Sequence, residues 1–172
     1  MCHAHTHALA RTPGEHATTQ LCCAELHAQI AGGPTPPSHI LDYGSGSGVL
    51  SFAALLFGAE RATGVEIDPD AVTTSRANAA TNGFDDRYVA LLPEDEPSAT
   101  YPLVVANILA GTLIELQPLL ASRVAPSGTL MLSGIWGAEQ RDAVTRAYSD
   151  DFERVDAREQ DGWVLLVCSR RR

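Results

Sequence analysis

Three places in the sequence carry residue types that could bind or orient a reacting group. The first is Asp42-Tyr43-Gly44-Ser45-Gly46-Ser47-Gly48, with glycines at alternate positions and an acid just before them. Glycines let a backbone approach a ligand without a Cβ collision, and the helix that follows offers free N–H groups, although a plain structural turn would use them equally well. The second is Glu66, 18 residues after Gly48. A carboxylate there, at a strand end, can accept both hydroxyls of a ribose, or else it faces solvent beside the next helix, a task that Asp68 suits better. Together the glycines and Glu66 point to a nucleotide-type cofactor. The third is Asn107, at the head of Asn107-Ile108-Leu109-Ala110-Gly111. Its amide either serves a ligand or closes a turn.

Other reactive residues form weaker patterns. Met1-Cys2-His3-Ala4-His5-Thr6-His7 contains zinc-ligand types, but alternating histidines in a terminus have nothing behind them to orient the rings. Residues 1–10 therefore read as a flexible leader, and no metal site is expected. Cys2, Cys22, Cys23 and Cys168 show neither a CxxC repeat nor the spacing of a disulfide framework, which implies a reducing compartment.

Composition narrows the field further. With 172 residues, 45% of them hydrophobic, the chain is long enough for one domain with a substantial core, and two full-sized domains would not fit. Its formal net charge of −9 gives no basic field to hold nucleic acid by its phosphates, so a basic partner suits it better. No uninterrupted apolar run reaches the roughly 20 residues that span a bilayer, and no signal pattern opens the chain. A soluble protein without a membrane partner is expected.

The elements that must position these residues alternate. A helix is expected from Thr18 to Ala31, ended by Gly32-Gly33 and the stiff Pro34-Thr35-Pro36-Pro37. Then come a short strand from His39, the glycine turn, and a helix whose apolar residues at 49, 52, 53, 56 and 57 keep the helical period. Ala62 to Ile67 reads as a second strand, with Asp68-Pro69 capping a helix that ends near Asn82-Gly83. Strands at Tyr88 to Leu92 and Leu103 to Ala106 follow, the latter uninterrupted and apolar as in a strand covered on both faces. A helix over Gly111 to Val124, a strand over Thr129 to Ser133 and a helix over Ala138 to Tyr148 precede two consecutive strands near 152–158 and 163–168. The pattern predicts an α/β fold: an open, mainly parallel seven-stranded sheet with helices on both faces and an antiparallel hairpin at one edge. In such a sheet ligands lie beyond the carboxyl ends of the strands, where all three candidate sites fall.

The glycine spacing also separates cofactors. A dinucleotide fingerprint is Gly-x-Gly-x-x-Gly, whereas the run from Asp42 to Gly48 resembles the first motif of Rossmann-like class I methyltransferases. In that family the turn packs against the methionine part of S-adenosylmethionine and the acid of the second strand holds the ribose. The resemblance implies that Gly44, Gly46 and Glu66 contact S-adenosylmethionine, and that Asp42 orders the turn or reaches the amino-acid end through water. Asn107 could then offer its carbonyl oxygen to an amine N–H and orient the nitrogen lone pair toward the methyl. Methyltransferases of base or glutamine amino groups are similar in having Asn-Pro-Pro-aromatic here. Ile108 and Leu109 stand in place of the prolines and no aromatic follows, which favours an aliphatic amine over a planar base.

Adding Gly14-Glu15-His16-Ala17-Thr18-Thr19 and Leu132-Ser133-Gly134-Ile135 to the Asn107 segment, the chain resembles the ribosomal protein L11 methyltransferase family over about residues 9 to 169. The resemblance implies methyl transfer to lysine amines, and also to an α-amine, of a small basic ribosomal protein, in the cytoplasm or an organelle matrix. It aligns Thr19 with a cofactor-contacting threonine and Asn107 with the active-site asparagine. The family loop resembles Phe-Gly-Thr-Gly-Thr-His-Pro-Thr-Thr, so Arg11 to Thr19 keeps its glycine, histidine and both threonines but loses other positions. Glu15 either favours a cation or faces solvent. Family members also carry an N-terminal domain that grips the ribosomal protein. Here only about ten residues precede the loop, so the expectation is a catalytic domain alone over 11–172.

The expected mechanism is in-line displacement without a covalent intermediate. A lysine of pKa near 10.4 must first shed a proton, and a partly dry pocket disfavours its ammonium form. His16 either relays that proton or is a hydrogen-bonded loop residue. The alternatives are a methyltransferase-like scaffold without catalysis, a nucleic-acid methyltransferase of the same fold, and a nicotinamide dehydrogenase, which the glycine spacing disfavours.

Overall fold

A computed structural model describes residues 16–33 and 35–170. The leader, Arg11 to Glu15 and the carboxyl-terminal pair lie outside the described residues. Helix α1 (Ala17–Ile30) leads into β1 (His39–Tyr43), α2 (Val49–Phe57), β2 (Arg61–Val65), α3 (Pro69–Thr81), β3 (Tyr88–Leu91) and β4 (Tyr101–Asn107). Beyond β4 come α4 (Ala110–Glu115), α5 (Gln117–Arg123), β5 (Val124–Trp136), α6 (Gly137–Tyr148), β6 (Arg154–Gln160) and β7 (Trp163–Ser169).

The strands form one sheet in the order β3-β2-β1-β4-β5-β7-β6. Pairs from β3 across to β5 are parallel, and β7 is antiparallel to both β5 and β6. This is the expected sheet with its reversed hairpin. The hairpin enters with its second strand innermost, because Val164 to Cys168 of β7 are buried and apolar while β6 is mostly polar and suits an edge. On one face α1, α2 and α3 bury Leu26, Ala54, Leu55 and Val72 against Ile40, Val105 and Met131. On the other, α4, α5 and α6 bury Leu113, Leu120, Val144 and Tyr148 against Val104, Leu130 and Leu166.

Among the departures from the sequence pattern, two lie in the stretch from α4 to β5. The helix expected over Gly111 to Val124 is two helices, broken at Leu116. Pro118 lacks an N–H and its ring would crowd the carbonyl four residues earlier, so it starts a new helix instead of continuing the old one. Strand β5 runs past the expected Ser133 to Trp136, because antiparallel pairing with β7 carries it beyond the parallel pairing with β4.

The connections run outward from β1 through β2 to β3, then return to place β4 on the other side of β1. The crevice beyond the carboxyl ends of β1 and β4 is therefore the topological switch point, where ligands of such sheets bind.

Candidate active site

At the end of β1 the chain turns sharply over the crevice. The N–H groups of Gly44 and Ser45 both donate to the Val65 carbonyl, at 2.8 and 3.1 Å, which ties the turn to β2. Gly46 has a left-handed φ of 52°, and a Cβ built on it meets nothing within 4 Å, so its backbone is bare toward the crevice. Glu66 follows β2 and reaches back. Its Oε2 accepts the Gly46 N–H at 2.9 Å, and its Oε1 accepts the N–H groups of Ile67 and Asp68 at 2.8 and 3.2 Å. These bonds to an ionised acceptor end the strand two residues earlier than the apolar pattern implies and hold the carboxylate at the mouth of the site. A cavity of about 400 Å³ opens there, lined by Gly44, Glu66, Ile67, Ile108, Thr112 and Leu116 among others.

Asn107 ends β4 on the other side of the crevice. The segment behind it is clamped between two glycines. A Cβ on Gly44 would overlap the Ile108 side chain, and a Cβ on Gly134, whose φ is +85°, would overlap the Ile108 carbonyl. A Gly134→Ala chain should therefore combine left-handed strain with overpacking, costing about 3 kcal/mol and lowering Tm by roughly 8 °C. Differential scanning calorimetry checks this; a Tm unchanged from wild type would mean that the 107–109 segment does not rest on β5.

The Asn107 side chain is held from α1. Its Nδ2 donates to Thr18 Oγ1 at 3.3 Å, and Thr18 Oγ1 lies 2.8 Å from His16 Nδ1. His16 also caps α1, accepting the Thr18 N–H at 3.4 Å. With Nδ2 spent on Thr18, the carbonyl oxygen of Asn107 is the group left to accept from a ligand. Thr19, one residue on, is buried in the first turn of α1.

Asp42 lies behind the turn and is 1% exposed. Its Oδ2 accepts the Ser51 N–H at 3.1 Å and the Ser51 hydroxyl at 2.8 Å, locking α2 to β1. These bonds place Asp42 behind the turn, on the first residues of α2. Burial, partly offset by the Ser51 bonds, pushes its carboxyl up from 3.8 to about 6. A pKa raised on folding means that this group's stabilising effect is full below about pH 4 and is lost as pH rises through about 6. Urea unfolding of wild type and Asp42→Asn across pH 4 to 7 should show the difference between them changing through that window, with a total amplitude of about 3 kcal/mol. A pH-independent difference would refute the shift.

The structure thus brings Gly46 to Glu66 and links Asn107 to His16. It places Asp42 behind them. Sequence reasoning did not single out Thr18, Ile108 or Gly134 as parts that position Asn107, although Gly134 stood in a motif already quoted. Thr112 and Leu116, which line the cavity, gave no signal at all in the sequence.

A seven-stranded sheet of this order, with a glycine elbow facing an acid at the end of β2, is the architecture of the class I methyltransferases. The family model described as Ribosomal protein L11 methyltransferase (PrmA) matches residues 8–171. The chain belongs to that family. It is 49% identical over 164 residues to the ribosomal protein L11 methyltransferase of Azotobacter vinelandii, a match covering 95% of this chain and 54% of that protein. The chain spans about half the length of the curated relatives it matches. Among solved structures, the ribosomal protein L11 methylase of Lactobacillus delbrueckii subsp. bulgaricus superposes with a TM-score of 0.79 at 30% identity, over 92% of this chain and 81% of that one. An RNA methyltransferase from Salinibacter ruber, solved with S-adenosyl-L-homocysteine, shares the fold at a TM-score of 0.64 and 22% identity, over 87% of this chain and 88% of that one.

Proposed function

We propose that this chain transfers a methyl group from S-adenosylmethionine to an aliphatic amine, a lysine side chain or an α-amine, of a small basic ribosomal protein of the L11 type. The observation that carries the reading is Asn107: its Nδ2 is anchored on Thr18, and its carbonyl oxygen is kept for an acceptor N–H at the rim of the crevice.

The residues present fit the cofactor. The backbone of Gly46 is bare, Glu66 is a fixed anionic acceptor beside it, and Gly44 and Glu66 line a cavity of about 400 Å³. When bound, S-adenosylmethionine supplies an electrophilic methyl on a positively charged sulfur. Glu66 would accept the ribose hydroxyls. Gly44 and Gly46 would let the turn lie against the amino-acid end, with Asp42 and Ser51 keeping α2 behind it in place and Thr19 contacting the cofactor from α1. Asn107 accepts one amine N–H and so aims the lone pair at the methyl. The partly apolar rim around Ile108 and Leu109 favours the neutral amine over the ammonium, and the proton is lost before attack. The chain's net charge of −9 complements a basic partner and sets it against direct nucleic-acid binding.

His16 stands two contacts behind Asn107, through Thr18, and we assign it to positioning in place of proton relay. A His16→Gln chain should then show reduced kcat with an unshifted pH profile; loss of an ionisation from that profile would restore the relay.

Residues 11–172 form one domain for this reaction. A ribosomal substrate places the chain in the cytoplasm or an organelle matrix. Cys22, Cys23 and Cys168 are free thiols, and no helix among the described residues is long and apolar enough to cross a membrane.

The test is incubation with methyl-labelled S-adenosylmethionine and either a recombinant L11-type protein or ribosomal RNA, followed by mass spectrometry of the protein. Label on lysine or the α-amine supports the reading. Label on RNA alone would replace it.

A further inference from the structure

The chain has two tryptophans, and the fold brings both to one place. Trp136 ends β5 and Trp163 begins β7; they are register partners, with ring centroids 5.0 Å apart at 71°. Strand β5 pairs with β4 as far as Ser133, which lies opposite Asn107, and then continues past the rim. The β5–β7 register shifts between Leu132 and Ile135. That shift reverses the faces. Met131 packs in the core beneath α1, whereas Ile135 packs in the opposite core, so Trp136 returns to the α1 face.

Asn107 and Trp163 belong to that same face by alternation with Val105 and with Leu165. A continuous run of contacts joins them: Asn107 to Thr18, Thr18 to His16, His16 to Trp163 at 4.8 Å between rings, and Trp163 to Trp136. Trp136 also lies on Gly162, where a Cβ would come within 2.9 Å of the indole. Although supported from below and from one side, Trp136 is 52% exposed. This ring packs on Trp163 and Gly162, is half exposed, and lies on the sheet face that carries Asn107, and an indole face attracts cations.

We propose that Trp136, braced by Trp163, captures the acceptor's alkylammonium side chain, the ammonium over the indole and the methylenes against its edge. This inference rests on the amine-acceptor reading above. The side chain docks as a cation, loses its proton to solvent, and reaches Asn107 as the free amine. The interaction makes Trp136 a determinant of acceptor KM rather than of the methyl-transfer step.

Two tryptophans mean two indole N–H signals in a ¹⁵N spectrum of the full chain, assigned with Trp136→Phe. The probes are Nα-acetyl-Nε-trimethyllysine amide, whose charge is permanent, and its neutral isostere with carbon in place of the quaternary nitrogen. The Trp136 signal should move saturably with the cation and at least about fivefold more weakly with the isostere. Trp136→Ala should raise acceptor KM about tenfold with kcat and cofactor Kd within about twofold, and Trp136→Phe should recover part of the loss. Equal response to cation and isostere, unmoved indole signals, or an unchanged KM in Trp136→Ala would each overturn the proposal. Cation binding at Trp136 in a chain that transfers no methyl to protein would uphold the site and remove the amine-transfer reading. Lysine methylation indifferent to Trp136→Ala would do the reverse.

Discussion

An Asn107→Ala chain should turn over about a hundredfold more slowly while binding S-adenosylmethionine within about threefold of wild type. The separation follows from where Asn107 sits. It precedes Ile108, which lines the cavity, and does not line the cavity itself, and its carbonyl oxygen is the acceptor to which the proposed function gives the incoming amine. Removing it leaves the amine free to rotate, so the cost falls on the orientation of attack and not on cofactor binding. Asn107→Asp, which keeps an acceptor oxygen but loses the N–H donated to Thr18, should fall between the two. Single-turnover kinetics with calorimetry on the same samples separate the two quantities. Equal turnover in wild type and Asn107→Ala would take Asn107 out of the reaction altogether. A fall in both affinity and rate would instead make it a structural support of the crevice.

Glu66→Ala should weaken S-adenosylmethionine binding about a hundredfold, because two charge-assisted bonds to the ribose hydroxyls disappear at about 1.5–3 kcal/mol each before solvent compensation. The same change frees the N–H groups of Gly46, Ile67 and Asp68, which the carboxylate holds. The turn should therefore loosen as well, visible as faster amide exchange across Gly44 to Gly48. Glu66→Gln keeps one acceptor oxygen and the shape of the side chain, and should lose about tenfold in affinity. Titration calorimetry measures each value. Affinity unchanged in Glu66→Ala would show that the ribose lies elsewhere and that Glu66 only closes the turn.

The two predictions divide the crevice along its length, with binding on the β2 side and orientation on the β4 side. That division comes from the topology. Strands β1 and β4 are neighbours in the sheet but are separated in the chain by the excursion through β2 and β3. The loops at their carboxyl ends diverge and leave room for a ligand between them.

Much of this was legible along the chain. Alternating apolar runs and glycine or proline breaks specify the order of strands and helices, since each run can bury itself only as one kind of element. The spacing from Gly48 to Glu66 places an acid at the end of β2. Asn107 stands out because a polar side chain follows an apolar strand directly. The broken helix at Pro118 was also open to a local reading, as proline carries its constraint with it.

What the chain could not disclose locally is which side chains meet. Thr18 and Asn107 touch across 89 residues. Gly134 is needed where it is only because the Ile108 backbone crosses it, and the two tryptophans become neighbours only when β7 inserts beside β5. Local periodicity records whether a residue faces a core. It does not record what stands opposite, because partners are set by strand order and register, which depend on the packing of the whole sheet. Thus the amino-acid sequence by itself determined the kinds of element, their order and the residues able to do chemistry. The tertiary structure decided that Asn107 is held by Thr18, that Glu66 is bonded to the glycine turn and which residues line the crevice.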